Sequence, residues 1–176
     1  MSFLYLKGLK QGDTQMTVFG IMLAGLFFLI SQSKPMIKLS AQKPPSSVFE
    51  NSVLFSIIGQ CIIQITALYV TSLLCSRFKV DGLEVDTNES NPDEFSPNLI
   101  NTAVFLVTST IQVNNFTINY YGHPFMQALS ENAMLYRSIG AIYVVLLVLA
   151  GGQIEPLNDL FQLIDFNRIK DICYLL

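Results

Sequence analysis

Five uncharged polar side chains, Asn101, Thr108, Gln112, Asn115 and Asn119, recur inside Phe95 to Phe125, a stretch with no charged residue. At about 100° per residue of helix they fall within roughly a sixth of a turn, which makes a polar stripe on an apolar helix. The chemistry open to such a stripe is hydrogen bonding without charge. In hydrocarbon an amide on the lipid face is left unpaired, so the stripe must face other helices or a hydrated cavity. It reads either as a packing seam or as the wall of a substrate or ion path. A second set, Ser56, Gln60, Gln64 and Thr71, aligns on one narrow helical face, with Gln60 and Gln64 one turn apart. Two amide-bearing helices suggest facing partners.

Other chemistry finds little footing. His123 is the only histidine, beside a turn and without a Cys, Asp or Glu cluster, so it reads as structural. Cys61, Cys75 and Cys173 have neither a disulfide framework nor metal-ligand spacing, and Cys61 reads as a small buried hydrophobe. No basic patch is present for nucleic acid, and no glycine loop is present to cradle phosphate.

The elements that position the stripes follow from composition. Hydrophobic residues make up 51% and charged residues 13% of the 176, with mean hydropathy +0.47. Soluble domains are about 25% charged, so the chain is an all-α, polytopic transmembrane helix bundle whose solvent is lipid. Four uncharged or nearly uncharged runs are long enough to cross, at about residues 14–33, 48–75, 97–121 and 134–153. The secretory alternative for the first run, with Lys7 and Lys10 as its basic head, competes weakly. Ser47-Val48-Phe49-Glu50 has the S-x-x-E pattern of a capping box at the head of the second run. Gly151-Gly152 closes the fourth. Leu157, Leu160, Phe161 and Ile164 then have the spacing of a short interfacial helix. Residues 1–6 and 169–176 read as partial helices, so both ends look cut.

Loop charge orients the bundle. Residues 34–47 carry Lys34, Lys38 and Lys43 and are expected in the cytosol, while residues 76–96 carry six acids and are expected in the lumen. Asn88-Glu89-Ser90 is a glycosylation sequon that a luminal placement would make usable. Asn115-Phe116-Thr117 also matches but lies within a span.

Motifs between the spans now point further. Leu4-Tyr5-Leu6-Lys7-Gly8, Gly12-Asp13-x-Gln15-x-Thr17, Ile30-Ser31-x-Ser33-Lys34-Pro35 with Leu39-Ser40 and Pro44, Asn101-Thr102, Ile111-Gln112-Val113, Phe116, Asn119-Tyr120, Gly122-His123-Pro124-Phe125, Glu131-Asn132 and Leu157-Asn158 together resemble the C-terminal membrane region of type V, subtype A P-type ATPases. The resemblance covers nearly the whole chain. It implies the tail of the family's fifth core helix, its sixth to ninth helices and the start of its tenth. It also implies an endoplasmic-reticulum membrane location and an ATP-driven machine that extracts misplaced transmembrane helices, older labels for which are cation transporters. By that resemblance Asp13, Gln15, Thr17 and Gly20 would face substrate. Gln60, Gln64, Thr108, Gln112, Asn115 and Asn119 would hold helices together.

The family's phosphorylated Asp in D-K-T-G-T, its nucleotide-binding domain and its actuator loop are not in this sequence. The resemblance therefore implies that ATP and Mg2+ act in a longer parent and that no cofactor or metal belongs to this piece. The partners expected are the lipid bilayer, the N-terminal helices and cytosolic domains of that parent, and transmembrane-helix substrates, with no nucleic acid. The rival reading is a stand-alone four-helix structural or interaction protein. A channel lined by the amides ranks last, since no charged ring or filter-like loop accompanies them.

Overall fold

The computed structural model of the protein describes residues 11–37, 40–41, 43, 49–77, 98–152 and 154–163. These form five helices: α1 (Asp13–Ser31), α2 (Asn51–Arg77), α3 (Leu99–Asn119), α4 (Ala133–Gly151) and α5 (Glu155–Leu160). The all-α membrane fold expected from composition is the one observed. Among the described residues the one β-type pairing is an isolated antiparallel bridge between Pro35 and Met126.

Local chemistry sets the ends. Asn98 precedes α3 in extended conformation, and its side chain accepts the Ile100 N–H at 3.0 Å. Asn132 does the same for α4 through the Leu135 N–H. Each supplies an acceptor to a donor that the first turn of a helix leaves unpaired. Gly152 stops α4 with φ 63°, the left-handed region that only glycine occupies cheaply. α2 begins at Asn51, just past Glu50, whose carbonyl accepts the Leu54 N–H. Ser47 of the expected capping box lies outside the described residues.

Among the described residues three helices are long and apolar enough to cross a membrane: α1, α2 over Asn51–Ser76, and α4. α3, with 21 residues, has a comparable length, but its amides and hydroxyls dilute its hydropathy. Its position compensates for this. α3 packs against α2, α4 and α1, whereas α2 has its extensive contact with α3 alone. Asn101 to Leu106, Ser109, Val113 and Phe116 of α3 are all buried. Around them Leu26 of α1 and Leu135, Ile139, Leu146 and Leu149 of α4 complete the core. The one long helix that falls short in hydropathy thus lies at the centre, where protein rather than lipid surrounds much of its surface.

Cys61 corrects one expectation. It is exposed, because among the described residues α2 has its extensive contact with α3 alone. The partial helices at residues 1–6 and 169–176, the acidic stretch beyond residue 77 and the Asn88 sequon lie outside the described residues.

Candidate functional site

Two distant segments meet at the end of the bundle where α1 stops and α4 starts. After α1 the chain extends through Ser33 to Met36, and after α3 it turns through Tyr120 to Asn132. The two are stitched by Met36 N–H to Phe125 O (3.1 Å) and Gln127 N–H to Lys34 O (3.1 Å). The turn is tight, since the Phe125 and Met126 N–H groups both donate to Gly122 O. Ring stacking of Tyr121 on Phe125 closes its outer side.

Side chains lock this knot as an ordered relay. Tyr120 Oη lies 2.9 Å from Gln127 O and 3.1 Å from Ser33 Oγ. One phenol proton cannot serve both acceptors. The consistent assignment has Asn132 Nδ2 donating to Ser33 Oγ at 2.9 Å, Ser33 donating to Tyr120, and Tyr120 donating to the Gln127 carbonyl. Asn132 and Ser33 are both buried, so each member of the relay has a partner where an unpaired group would be costly. Nearby, His123 Nε2 lies 3.1 Å from Glu131 Oε1, at the surface. Glu131 Oε2 accepts the Ala128 N–H at 2.8 Å. That backbone bond, and then the His123 contact, hold the Glu131 carboxyl below its ordinary range.

The amide stripes of α2 and α3 touch along part of their length. Gln60 and Asn119 exchange two hydrogen bonds, Gln60 Nε2 to Asn119 Oδ1 and Asn119 Nδ2 to Gln60 Oε1, each 3.0 Å. One turn along, Gln64 Nε2 donates to Asn115 Oδ1 at 2.7 Å. Thr71 donates within its own helix to Ala67 O, and Ser56 accepts a second bond from Gln60. Thr108 and Gln112 are half-buried and take no part in this ladder. Gln112 instead lines a groove of about 370 Å³ with Ile30, Asn115, Phe116, Asn119, Tyr120, Tyr121 and Met126. On the opposite side of α3, Asn114 Oδ1 accepts from Tyr143 Oη of α4. Consecutive asparagines therefore tie α3 to two different neighbours. The stripe pattern does not include Asn114; a tyrosine at matching depth on the next helix was the signal for it.

The reciprocal Gln60–Asn119 pair can be measured. A double-mutant cycle of Gln60→Leu and Asn119→Leu, read by unfolding of the full-length protein in mild detergent, is expected to give a coupling of about 0.6–1.7 kcal/mol, the range found for interhelical hydrogen bonds in membranes. Strictly additive single effects would show that the pair contributes nothing to the seam.

At the other end of the bundle stand the residues expected to face substrate. Asp13, Thr17 and Gly20 are exposed on α1, and Thr17 Oγ1 donates back to Asp13 O. Gln15 differs. It is fully buried, and its Nε2 donates to Phe161 O at 3.0 Å, just beyond α5. Gly20 has open space where a side chain would project. Among the described residues no group of His, Cys, Asp and Glu could hold a metal ion.

Comparison with known proteins adds relatives to this geometry. No family model matches the chain. The "Endoplasmic reticulum transmembrane helix translocase" of Schizosaccharomyces pombe is 38% identical over 149 residues, 83% of this chain and 12% of that protein. Its namesake in Saccharomyces cerevisiae is 32% identical over 165 residues, covering 93% and 13% respectively. The "Probable manganese-transporting ATPase" of Arabidopsis thaliana is 34% identical over 165 residues, 93% of this chain and 14% of that protein. The chain thus spans between 12% and 14% of the length of these relatives.

Proposed function

The chain belongs to the type V P-type ATPases of the endoplasmic reticulum, and from that membership we propose that it supplies membrane helices to an ATP-driven translocase that extracts transmembrane helices from the bilayer. ATP and Mg2+ act in the longer protein, on domains outside this segment, and the segment itself holds no cofactor. Its partners are the lipid bilayer, the remaining helices and cytosolic domains of that protein, and the client helices. Nucleic acid has no part. α3 crosses as the third of four spans, the knot and residues 34–47 lie on the cytosolic side, and the Asp13 end and residues 76–96 face the lumen.

The observation that carries this reading is the kind of polar group the helices bring into the membrane. A hard divalent cation is held by carboxylates and carbonyls in a cage of several oxygens. Within α1 to α4 the carboxylate is Asp13, exposed in the first turn of α1, while the buried polar groups are neutral amides and hydroxyls. Neutral amides suit hydrogen bonding between helices, including one that is passing through. This favours the activity named for the yeast relatives over the manganese transport named for the plant one. The exposed face of α1 bearing Asp13, Thr17 and Gly20 is where a client would lie.

Two assays on one preparation separate the readings. In vesicles carrying the full-length protein, ATP is expected to release a radiolabelled single-span membrane protein, and Gly20→Leu, which fills open space on that face, to reduce the release several-fold. ATP-dependent uptake of manganese without client release would overturn the proposal.

A further inference from the structure

The two ends of α1 are fastened very differently. Its C-terminal end runs into the knot, where Ser33 is fixed by Asn132 and Tyr120 and the following residues pair with Phe125 and Gln127. Packing there is tight: Leu26 is 1% exposed, and Phe27 meets Phe116 edge-on with centroids 4.8 Å apart. The N-terminal half is looser. A half-open cleft of about 140 Å³, apolar except for Ser109, lies beneath Val18, Phe19 and Met22, between α1 and the α3–α4 pair. The cleft leaves this half of α1 room to move inward or lift away.

Besides the packing of Val18 and Met22 on the core, a side-chain hydrogen bond from Gln15 holds it, and that bond leaves a buried group unpaired. Gln15 donates through Nε2 to Phe161 O, yet its Oε1 is buried with no hydrogen-bond partner among the described residues. An unpaired buried carbonyl disfavours the arrangement that buries it. On the acceptor side Gln162, next to Phe161, has φ 52° in the turn that caps α5, closed by Leu163 N–H to Asn158 O at 2.9 Å. The cost of the unpaired Oε1 is relieved if Gln15 lets go of the α5 turn.

We propose that α1 is a lever pinned at Ser33 and latched at Gln15, and that the Gln15–Phe161 bond opens when the transporter changes state. Gln15 is thus a positioning residue: it sets where the exposed Asp13, Thr17 and Gly20 stand, without itself touching a client. The inference rests on the ATP-driven reading only in the states used to test it.

The test uses the full-length protein in lipid nanodiscs, with spin labels on Met16→Cys of α1 and Leu160→Cys of α5, both exposed, in a background without other reactive cysteines. Distances are measured by pulsed electron resonance without nucleotide and with beryllium fluoride as the phosphate mimic. The distance is expected to differ between the two states. Gln15→Met, which cannot donate, is expected to show the longer distance in both, as is Gln15→Asn, whose amide falls one methylene short of Phe161 O. One unchanged distance in both states of the otherwise unmutated protein overturns the latch, even where the Gln15 variants fail to fold. So does a Gln15→Met protein that keeps the unmutated pattern, the result expected of a merely structural glutamine. A changing distance in a protein that imports manganese and releases no client would leave the latch standing and remove the translocase reading. Client release at a fixed distance would do the reverse.

Discussion

Replacing Asn132 by alanine is expected to cost about 2–3 kcal/mol, because two separate functions of one side chain are lost together. Its Oδ1 caps α4 by accepting the Leu135 N–H at 3.2 Å, and its Nδ2 donates to Ser33 Oγ at 2.9 Å. Losing a cap costs about 1 kcal/mol, and removing one partner from a buried hydroxyl costs about 1–3 kcal/mol, moderated here because Ser33 retains Tyr120. Asn132→Ser separates the two functions. Serine caps well but is too short to reach Ser33, so it should restore about 1 kcal/mol, the share of the cap. Thermal unfolding of the full-length protein in detergent, followed for both variants, checks the difference. Equal losses for alanine and serine would place the whole effect in the Ser33 bond, and no loss for either would mean that the relay does not hold the knot.

How far the sequence alone could reach is seen by comparing the α2–α3 seam with the knot. Gln60 and Gln64 recur one turn apart on α2, and Asn115 and Asn119 recur one turn apart on α3. Two antiparallel helices with the same period can bring such pairs together, so the seam was legible from spacing. The knot was not. Ser33, Tyr120 and Asn132 come from loops without periodicity, and they meet because α1 and α3 end at the same level of the bundle. The motif fragments Ser33-Lys34-Pro35, Gly122-His123-Pro124-Phe125 and Glu131-Asn132 stood out one by one in the sequence. The fold unites them in one hydrogen-bonded structure.

Gln15 shows a different limit. A helical wheel puts it about 160° from Asp13 and Thr17, which flank it and are exposed, so the three cannot share one face, but the wheel does not say which face turns inward. Its inward direction depends on where Phe161 lies, 146 residues later in the chain. The place of α3 was likewise hidden from hydropathy. Hydropathy leaves it out of the helices apolar enough to cross, but Asn114, Asn115 and Asn119 are paired with neighbouring helices, and α3 is the centre of the bundle.

Gly122 carries the second large effect. A Cβ added there would stand 3.0 Å from Ala128 Cα and 3.1 Å from Gln127 O. Both are backbone atoms, and Gln127 is held from two sides, by its N–H bond to Lys34 O and by the Tyr120 hydroxyl on its carbonyl. Neither can rotate away as the tip of a long side chain could. Relief would require opening the turn whose Phe125 and Met126 N–H groups both donate to Gly122 O, or tearing the strand-like pairing with residues 34–36. Overpacking of this kind costs about 1–3 kcal/mol, and the rigid surroundings place Gly122 at the upper end. The clash is with the Cβ itself, so Gly122→Ala is expected to lose about as much as Gly122→Val, within about 1 kcal/mol. A cost that rose steeply with side-chain size would instead point to a pocket wall further out. Unfolding midpoints of the two variants, with hydrogen exchange at the Met36 and Gln127 amides to report whether the pairing has opened, distinguish these outcomes. Fast exchange at those two amides in Gly122→Ala, with α2 and α3 unaffected, is the pattern that places the damage in the knot.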